Sequence, residues 1–108
     1  MELAERLYRE ILRIPLIDPH THIDPLRPAS RTLDDLLGYH YYTELIHSTG
    51  VPRDHVGTGV EPHERSRRIA AALPAIANTV QYSWLLEIAR QLLGFEGQRI
   101  DAGSFEVL

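Results

Sequence analysis

Two histidines and an aspartate, each two residues apart, are the side chains of this sequence best suited to chemistry. They are Asp18, His20 and His22, and they lie in a short, mostly apolar run that begins at Pro15. Side chains alternate faces along an extended chain, so this spacing predicts that all three project the same way. Two neutral imidazoles can bind one divalent ion while a carboxylate supports them. The spacing therefore predicts a metal site that opens onto a pocket.

The composition limits what else could bind that metal or perform chemistry. The sequence has no cysteine, and all eleven of its basic residues are arginine. Disulfides, thiolate zinc sites, thiol nucleophiles, Schiff-base lysines and phosphate-loop lysines are therefore excluded. Any metal must be bound by histidine, carboxylate or water.

Size and charge exclude several classes of protein. At 108 residues the chain forms at most one small domain. Its net charge of −4 argues against partners such as nucleic acid or an anionic membrane. No apolar run approaches the roughly 20 residues that span a bilayer. The acidic N-terminus lacks the basic and apolar regions of a signal peptide, which predicts a cytoplasmic protein.

The hydrophobic pattern predicts a mostly α-helical chain with one short strand. Apolar residues at helical spacing predict a leading helix within residues 1–14, which Pro15 ends. Residues 15–23 hold the one predicted strand, which is apolar on both faces and ends in the histidines. Residues 32–108 are predicted to form a helical subdomain, with boundary signals at Thr32, Gly38, Gly50, Pro62, Pro74 and Gly94. Within it, residues 51–59 are predicted to be a loop, and Tyr39 and Trp84 are predicted to pack in the core.

A single strand of this kind needs a partner, because the backbone groups of a lone buried strand go unsatisfied. Ser104 is also predicted to begin a new helix within the last turn of the sequence. From these two features we expect the chain to be the N-terminal piece of a larger α/β protein. Alternatively, it docks against another copy of itself or a partner.

The order of motifs resembles the N-terminal region of the uronate (glucuronate) isomerases, members of the amidohydrolase superfamily. The D-x-H-x-H of Asp18–His22 is shared by that whole superfamily. The isomerase branch is indicated by His40-Tyr41, by the S-x-G-V of residues 48–51 and by a later series of single residues. That series consists of Pro74, Tyr82, Trp84 and Gly94.

The resemblance implies a (β/α)8 metal-dependent barrel, of which this chain is the N-terminal segment. His20 and His22 would be metal ligands at the C-terminal end of the first barrel strand, where such barrels place their chemistry. The ion would be divalent, zinc being expected, with Asp18 as a supporting residue of the second shell. The substrate would be a sugar acid. The parent enzyme would convert D-glucuronate to D-fructuronate, or galacturonate to tagaturonate.

The resemblance also implies roles for three further residues. Tyr41 would transfer a hydroxyl proton during aldose–ketose isomerisation, while His40 would hold substrate oxygens. Arg27, in the loop after the metal motif, is a candidate for binding the substrate carboxylate. Because the rest of the barrel is missing, we expect the chain to be inactive alone and to require the remainder of the barrel or another copy.

Some positions depart from the family pattern and leave alternatives open. A tryptophan and an arginine usual near positions 43 and 44 are Thr43 and Glu44 here, and a glutamate expected at 88 is Ile88. One alternative is a metal-dependent hydrolase or decarboxylase of the same superfamily. The other is a non-catalytic helical interaction module in which the histidines are structural.

Overall fold

Helices account for all the regular structure in the computed structural model, which describes residues 1–108. Two isolated residues, Asp24 and Arg27, form a single bridge, and there is no sheet. The α-helices are α1 (Leu3–Ile11), α2 (Leu33–Leu37), α3 (His40–Ser48), α4 (Arg53–Val56), α5 (Pro62–Ala72), α6 (Val80–Leu93) and α7 (Ala102–Phe105). A 3-10 helix over Leu73–Ile76 follows α5.

Most helix ends lie where local signals in the sequence predict them. The Thr32 hydroxyl accepts a hydrogen bond from the Asp35 N–H at 3.1 Å and begins α2. Pro62 occupies the first turn of α5, where a missing N–H costs nothing. At Pro74 the α-helix gives way to 3-10 geometry, and Gly94 ends α6 with a φ of 68°.

The core lies between the helices from α2 onward. Thirteen buried apolar residues form one cluster, and every one of them lies between Leu37 and Phe105. Ile46 of α3, Ile69 of α5 and Leu85 of α6 are completely buried in it. This part of the chain therefore has the apolar centre that a small domain needs.

Residues 1–31 form an N-terminal arm that contributes nothing to this core. Every residue of the arm is exposed, including the apolar side chains of α1. The radius of gyration is 15.7 Å, whereas a compact chain of this length has about 13 Å. The accessible surface is 8201 Å², roughly 2,000 Å² more than a compact monomer of this mass exposes. The arm accounts for the extended shape.

The predicted strand within residues 15–23 is not formed in this chain. None of these residues takes part in a backbone–backbone hydrogen bond, and Leu16 and Ile17 are more than 90% exposed. A strand exists only through pairing with a neighbour, and nothing in the 108 residues pairs with this segment. The prediction of a strand buried on both faces is therefore wrong for this chain, because the pattern could not supply the partner.

Three smaller predictions are also corrected. Residues 51–59, predicted as loop, contain the short helix α4. Asp101 caps α7, with Ser104 as its third residue in a capping box, so Ser104 does not begin the helix. Trp84, predicted to pack in the core, is 57% exposed.

No helix combines the length and apolar character that crossing a bilayer requires.

The burial pattern of α6 gives a stability prediction. Leu85→Ala removes a completely buried side chain and is expected to lower the free energy of unfolding by about 2–5 kcal/mol. Leu92→Ala, on the same helix but 76% exposed, is the matched control and should change it by less than about 0.5 kcal/mol. Urea unfolding followed by circular dichroism measures both. Equal losses for the two variants would contradict this placement of the core.

Candidate functional site

The two histidines of the predicted metal motif face each other. His20 Nε2 and His22 Nε2 lie 2.8 Å apart, so one ring donates its Nε2–H to the lone pair of the other. The ring centroids are 4.7 Å apart, with the ring planes at 67°. Both nitrogens able to bind a metal are therefore directed toward the same point.

This geometry fits a shared zinc ion with a small adjustment. Zinc–nitrogen bonds of about 2.0–2.1 Å place two nitrogens of a tetrahedral site about 3.3 Å apart. The rings would have to open by roughly half an ångström from their present separation to reach that geometry. The chain offers these two ligands only, because no group of three or more His, Cys, Asp or Glu side chains is positioned to bind one ion.

Asp18 supports the histidine pair through the backbone. Its Oδ1 accepts a hydrogen bond from the His20 N–H at 3.0 Å, which forms a local turn between the two residues. One residue on, the Thr21 hydroxyl accepts from the Ile23 N–H at 3.2 Å. Side chains, and not strand pairing, therefore satisfy these backbone donors.

His40 and Tyr41 lie beside His22, although they stand 18 and 19 positions further along the sequence. The ring centroid of His22 is 5.4 Å from that of His40 and 6.4 Å from that of Tyr41. His40 and Tyr41 are the first two residues of α3, and their own rings are 4.4 Å apart. The fold therefore brings together four residues that the sequence singles out.

Tyr39 completes what we call the histidine–tyrosine cluster, made of His20, His22, Tyr39, His40 and Tyr41. Its ring lies 6.5 Å from His22 and 4.3 Å from His40. This tyrosine, predicted to pack in the core, is half-buried and packs against it. Desolvation, with a smaller contribution from neighbouring Tyr41, raises the pKa of the Tyr39 hydroxyl.

The core holds α3 in place beneath this cluster. Tyr42 follows Tyr41, is only 5% exposed, and donates its hydroxyl to the Gln81 carbonyl oxygen of α6 at 3.3 Å. Burial raises the pKa of Tyr42, which keeps that hydroxyl a donor. The start of α3 is thus tied to α6, so the half-buried His40 and the exposed Tyr41 lie on a supported helix end.

An open cleft of about 730 Å³ connects the cluster to both the arm and α6. Its size falls within the range of about 300–1,000 Å³ typical of small-molecule sites. Besides His20, His22, Tyr39 and Tyr41, its walls include Asp18, Arg27, Asp35 and Trp84. Nothing in the sequence indicates that Asp35 and Trp84 line the cleft, since their spacing carries no motif.

Arg27 lies in this cleft and is held by one long ion pair. Its Nη2 is 3.5 Å from Asp35 Oδ1, and its side chain is 74% exposed. Asp35 also accepts the Arg31 backbone N–H through Oδ2 at 3.0 Å. The latter hydrogen bond is the main reason why the pKa of Asp35 is lowered. Asp35 therefore fastens the end of the arm to the start of α2.

The residues that depart from the family pattern lie elsewhere. Thr43 and Glu44 line a separate pocket of about 200 Å³ together with His47 and Arg53. Neither residue lines the cleft. Ile88 lies in a third, mostly apolar groove next to Leu92.

Comparison with known proteins bears on what this cleft is. The chain is 30% identical to the uronate isomerase of Phenylobacterium zucineum (strain HLK1), across 88% of this chain and 22% of that protein. It is 29% identical to the uronate isomerase of Xanthomonas campestris pv. campestris (strain B100), across 94% and 24% respectively. The uronate isomerase of Sphingopyxis alaskensis is 28% identical, across 90% and 23%. No protein-family profile matches the chain.

The resemblance that the sequence indicates is thereby confirmed. The chain is a divergent relative of the uronate isomerases, similar to them along nearly its whole length. It spans about a quarter of the length of the curated relatives that it matches.

The lowered pKa of Asp35 gives a prediction about acid stability. A carboxylate whose pKa is lower in the folded state stabilises the fold at neutral pH, and that contribution is lost as the pH falls through the lowered pKa. Asp35→Asn is therefore expected to be less stable than wild type at pH 7. The difference between the two should shrink below about pH 4, where the unfolded carboxylate is protonated.

Urea unfolding at a series of pH values measures this difference. Asp54→Asn, in α4 and outside the cleft, serves as the control and should not reproduce the pattern. A gap between Asp35→Asn and wild type that stays constant down to the acid range would contradict the role given to this carboxylate.

Proposed function

We propose that this chain supplies the first part of the active site of a uronate isomerase-like enzyme. The reaction is the aldose–ketose isomerisation of D-glucuronate to D-fructuronate, or of galacturonate to tagaturonate. One observation carries the proposal: His20 Nε2 and His22 Nε2 converge to 2.8 Å beside His40 and Tyr41. The similarity to uronate isomerases supports the same assignment.

In this proposal His20 and His22 bind a divalent ion, zinc being the expected one. When bound, such an ion polarises carbonyl and hydroxyl oxygens of a sugar acid and orients them. Asp18 positions the pair through the His20 backbone N–H. Its role is that of a supporting residue, since its carboxylate is already engaged by the main chain.

Tyr41 and His40 act on the substrate itself. Isomerisation moves a proton between C1 and C2 and a second proton between the two oxygens. Tyr41 lines the cleft, and its hydroxyl transfers the proton on oxygen. His40 does not line the cleft itself, but its ring lies 4.4 Å from that of Tyr41, and from there it holds the substrate oxygens. The base that removes the proton from carbon lies outside these 108 residues.

A metal-dependent hydrolase or decarboxylase of the same superfamily is the alternative enzyme. Its support is the replacement of the usual tryptophan and arginine by Thr43 and Glu44. Because these two residues line a different pocket, they do not change the chemistry of the cleft. The isomerase is therefore the better-supported assignment.

The N-terminal arm needs a partner for this function. Its apolar side chains and its unpaired backbone groups are exposed. The excess surface of roughly 2,000 Å² exceeds the ~800 Å² that each partner buries in a standard interface. We propose that the remaining strands of a barrel cover it. A second copy of the chain is the alternative, and a measured dimer would favour that occupant.

Zinc binding tests the proposed metal site. Isothermal titration of the chain with zinc should show one binding event that His20→Ala and His22→Ala each abolish. His47→Ala is the matched control, since its Nδ1–H donates to the Val51 carbonyl oxygen at 2.7 Å outside the cleft. A chain that binds no zinc and whose stability is unaffected by chelator would instead be a helical interaction module.

Activity measurements test the division of labour between this chain and the rest of the barrel. With zinc supplied, the 108-residue chain should not isomerise D-glucuronate at a detectable rate. The physical reason is that catalytic zinc sites use about three protein ligands, and the chain brings no set of three together. Robust turnover by the chain alone would show that this prediction is wrong.

A further inference from the structure

Trp84 is the one tryptophan of the sequence, and the proposed chemistry gives it no role. It belongs to α6, where the next residue, Leu85, is completely buried. Trp84 itself is 57% exposed and forms part of the wall of the cleft that also holds His20, His22 and Arg27. The indole is therefore not one of the buried core side chains, and a ligand in the cleft can reach it.

An indole and a guanidinium in one cleft recognise a particular kind of ligand. The indole offers a broad, rigid apolar surface that can cover the C–H face of a sugar ring. The guanidinium of Arg27 is a planar fork that matches a carboxylate with two parallel hydrogen bonds. A sugar acid is one small molecule that has both an apolar C–H face for the indole and a carboxylate for the guanidinium.

Arg27 is available for such a ligand. Its contact with Asp35 is long, at 3.5 Å, and its side chain is 74% exposed. Exposed ion pairs of this kind contribute little stability. A carboxylate that offers a bidentate geometry can therefore replace or join Asp35 at small cost.

We propose that Trp84 and Arg27 form the substrate-binding side of the cleft, where Trp84 packs against the apolar face of a sugar acid and Arg27 binds its carboxylate. This inference rests on the proposed isomerase function, because it names how that substrate is held. In this proposal Trp84 and Arg27, and not the metal ligands His20 and His22, determine which substrate binds. The reacting carbon end then lies toward His22 and Tyr41.

The tryptophan itself provides the measurement. Because it is the only one, selectively excited tryptophan emission of the whole chain reports on Trp84 alone. Titration with D-glucuronate in the absence of metal should give a saturable change in emission. D-Glucose, which lacks the carboxylate, should bind about tenfold more weakly, and acetate should give no change.

Variants separate the two contacts. Arg27→Gln should weaken the glucuronate response about tenfold. Arg31→Gln is the matched control, since this neighbouring loop arginine lines another groove and should leave the response unchanged. Ligand-observed NMR measures Trp84→Leu, which should bind glucuronate about tenfold more weakly, whereas Trp84→Phe should retain part of the affinity.

Several outcomes would overturn the inference. They are no saturable response to glucuronate, an equal response to glucose and acetate, an unchanged response in Arg27→Gln, or wild-type affinity in a folded Trp84→Leu. Because these titrations contain no metal, they are independent of the zinc measurement. If the chain failed to bind zinc but still bound glucuronate, the proposed metal site would be overturned and the roles of Trp84 and Arg27 would stand. If it bound zinc but not glucuronate, those two roles would be overturned and the metal site would stand.

Discussion

A buried backbone N–H or C=O needs a hydrogen-bond partner, whereas an exposed one can bond to water, and this difference governs the structure of the N-terminal arm. Residues 15–23 form no backbone–backbone hydrogen bond, and Leu16 and Ile17 are almost fully exposed. The segment carries the two candidate metal ligands yet has no sheet to hold it. The side chains of Asp18 and Thr21 accept hydrogen bonds from two backbone N–H groups, which replaces part of the pairing that a neighbouring strand would provide. The missing strand pairing explains why the arm stays extended and outside the core.

The other half of the site, His40 and Tyr41 on α3, is supported by the helical core and is held more firmly than the histidine pair on the arm. Tyr42 is buried and bonded to the Gln81 carbonyl of α6, so the start of α3 is fixed where it meets the cleft. His40 and Tyr41 inherit that position, because they precede Tyr42 on the same helix. One side of the cleft is therefore preorganised by packing. The other side depends on contacts between the arm and the cluster.

The similarity to uronate isomerases and the departures from them fall in different places. Cleft residues such as His20, His22 and Tyr41 follow the family pattern, whereas Thr43 and Glu44 line a separate pocket between α3 and α4. The motif residues that resemble the family and the positions that depart from it therefore face different cavities. Function resides in such a site and not in the fold that carries it.

Local signals in the sequence were enough to locate several helix ends. Capping at Thr32, the first-turn proline at Pro62 and the left-handed end at Gly94 each act within a few residues, so the pattern alone locates them. Tertiary structure alone decided what depends on distant partners. Residues 15–23 form no strand, because a strand needs a distant segment of the chain to pair with. Trp84 lines the cleft, whereas the next residue, Leu85, occupies the core. The meeting of His22 with His40 and Tyr41 also depends on how the arm folds back, which no local pattern encodes.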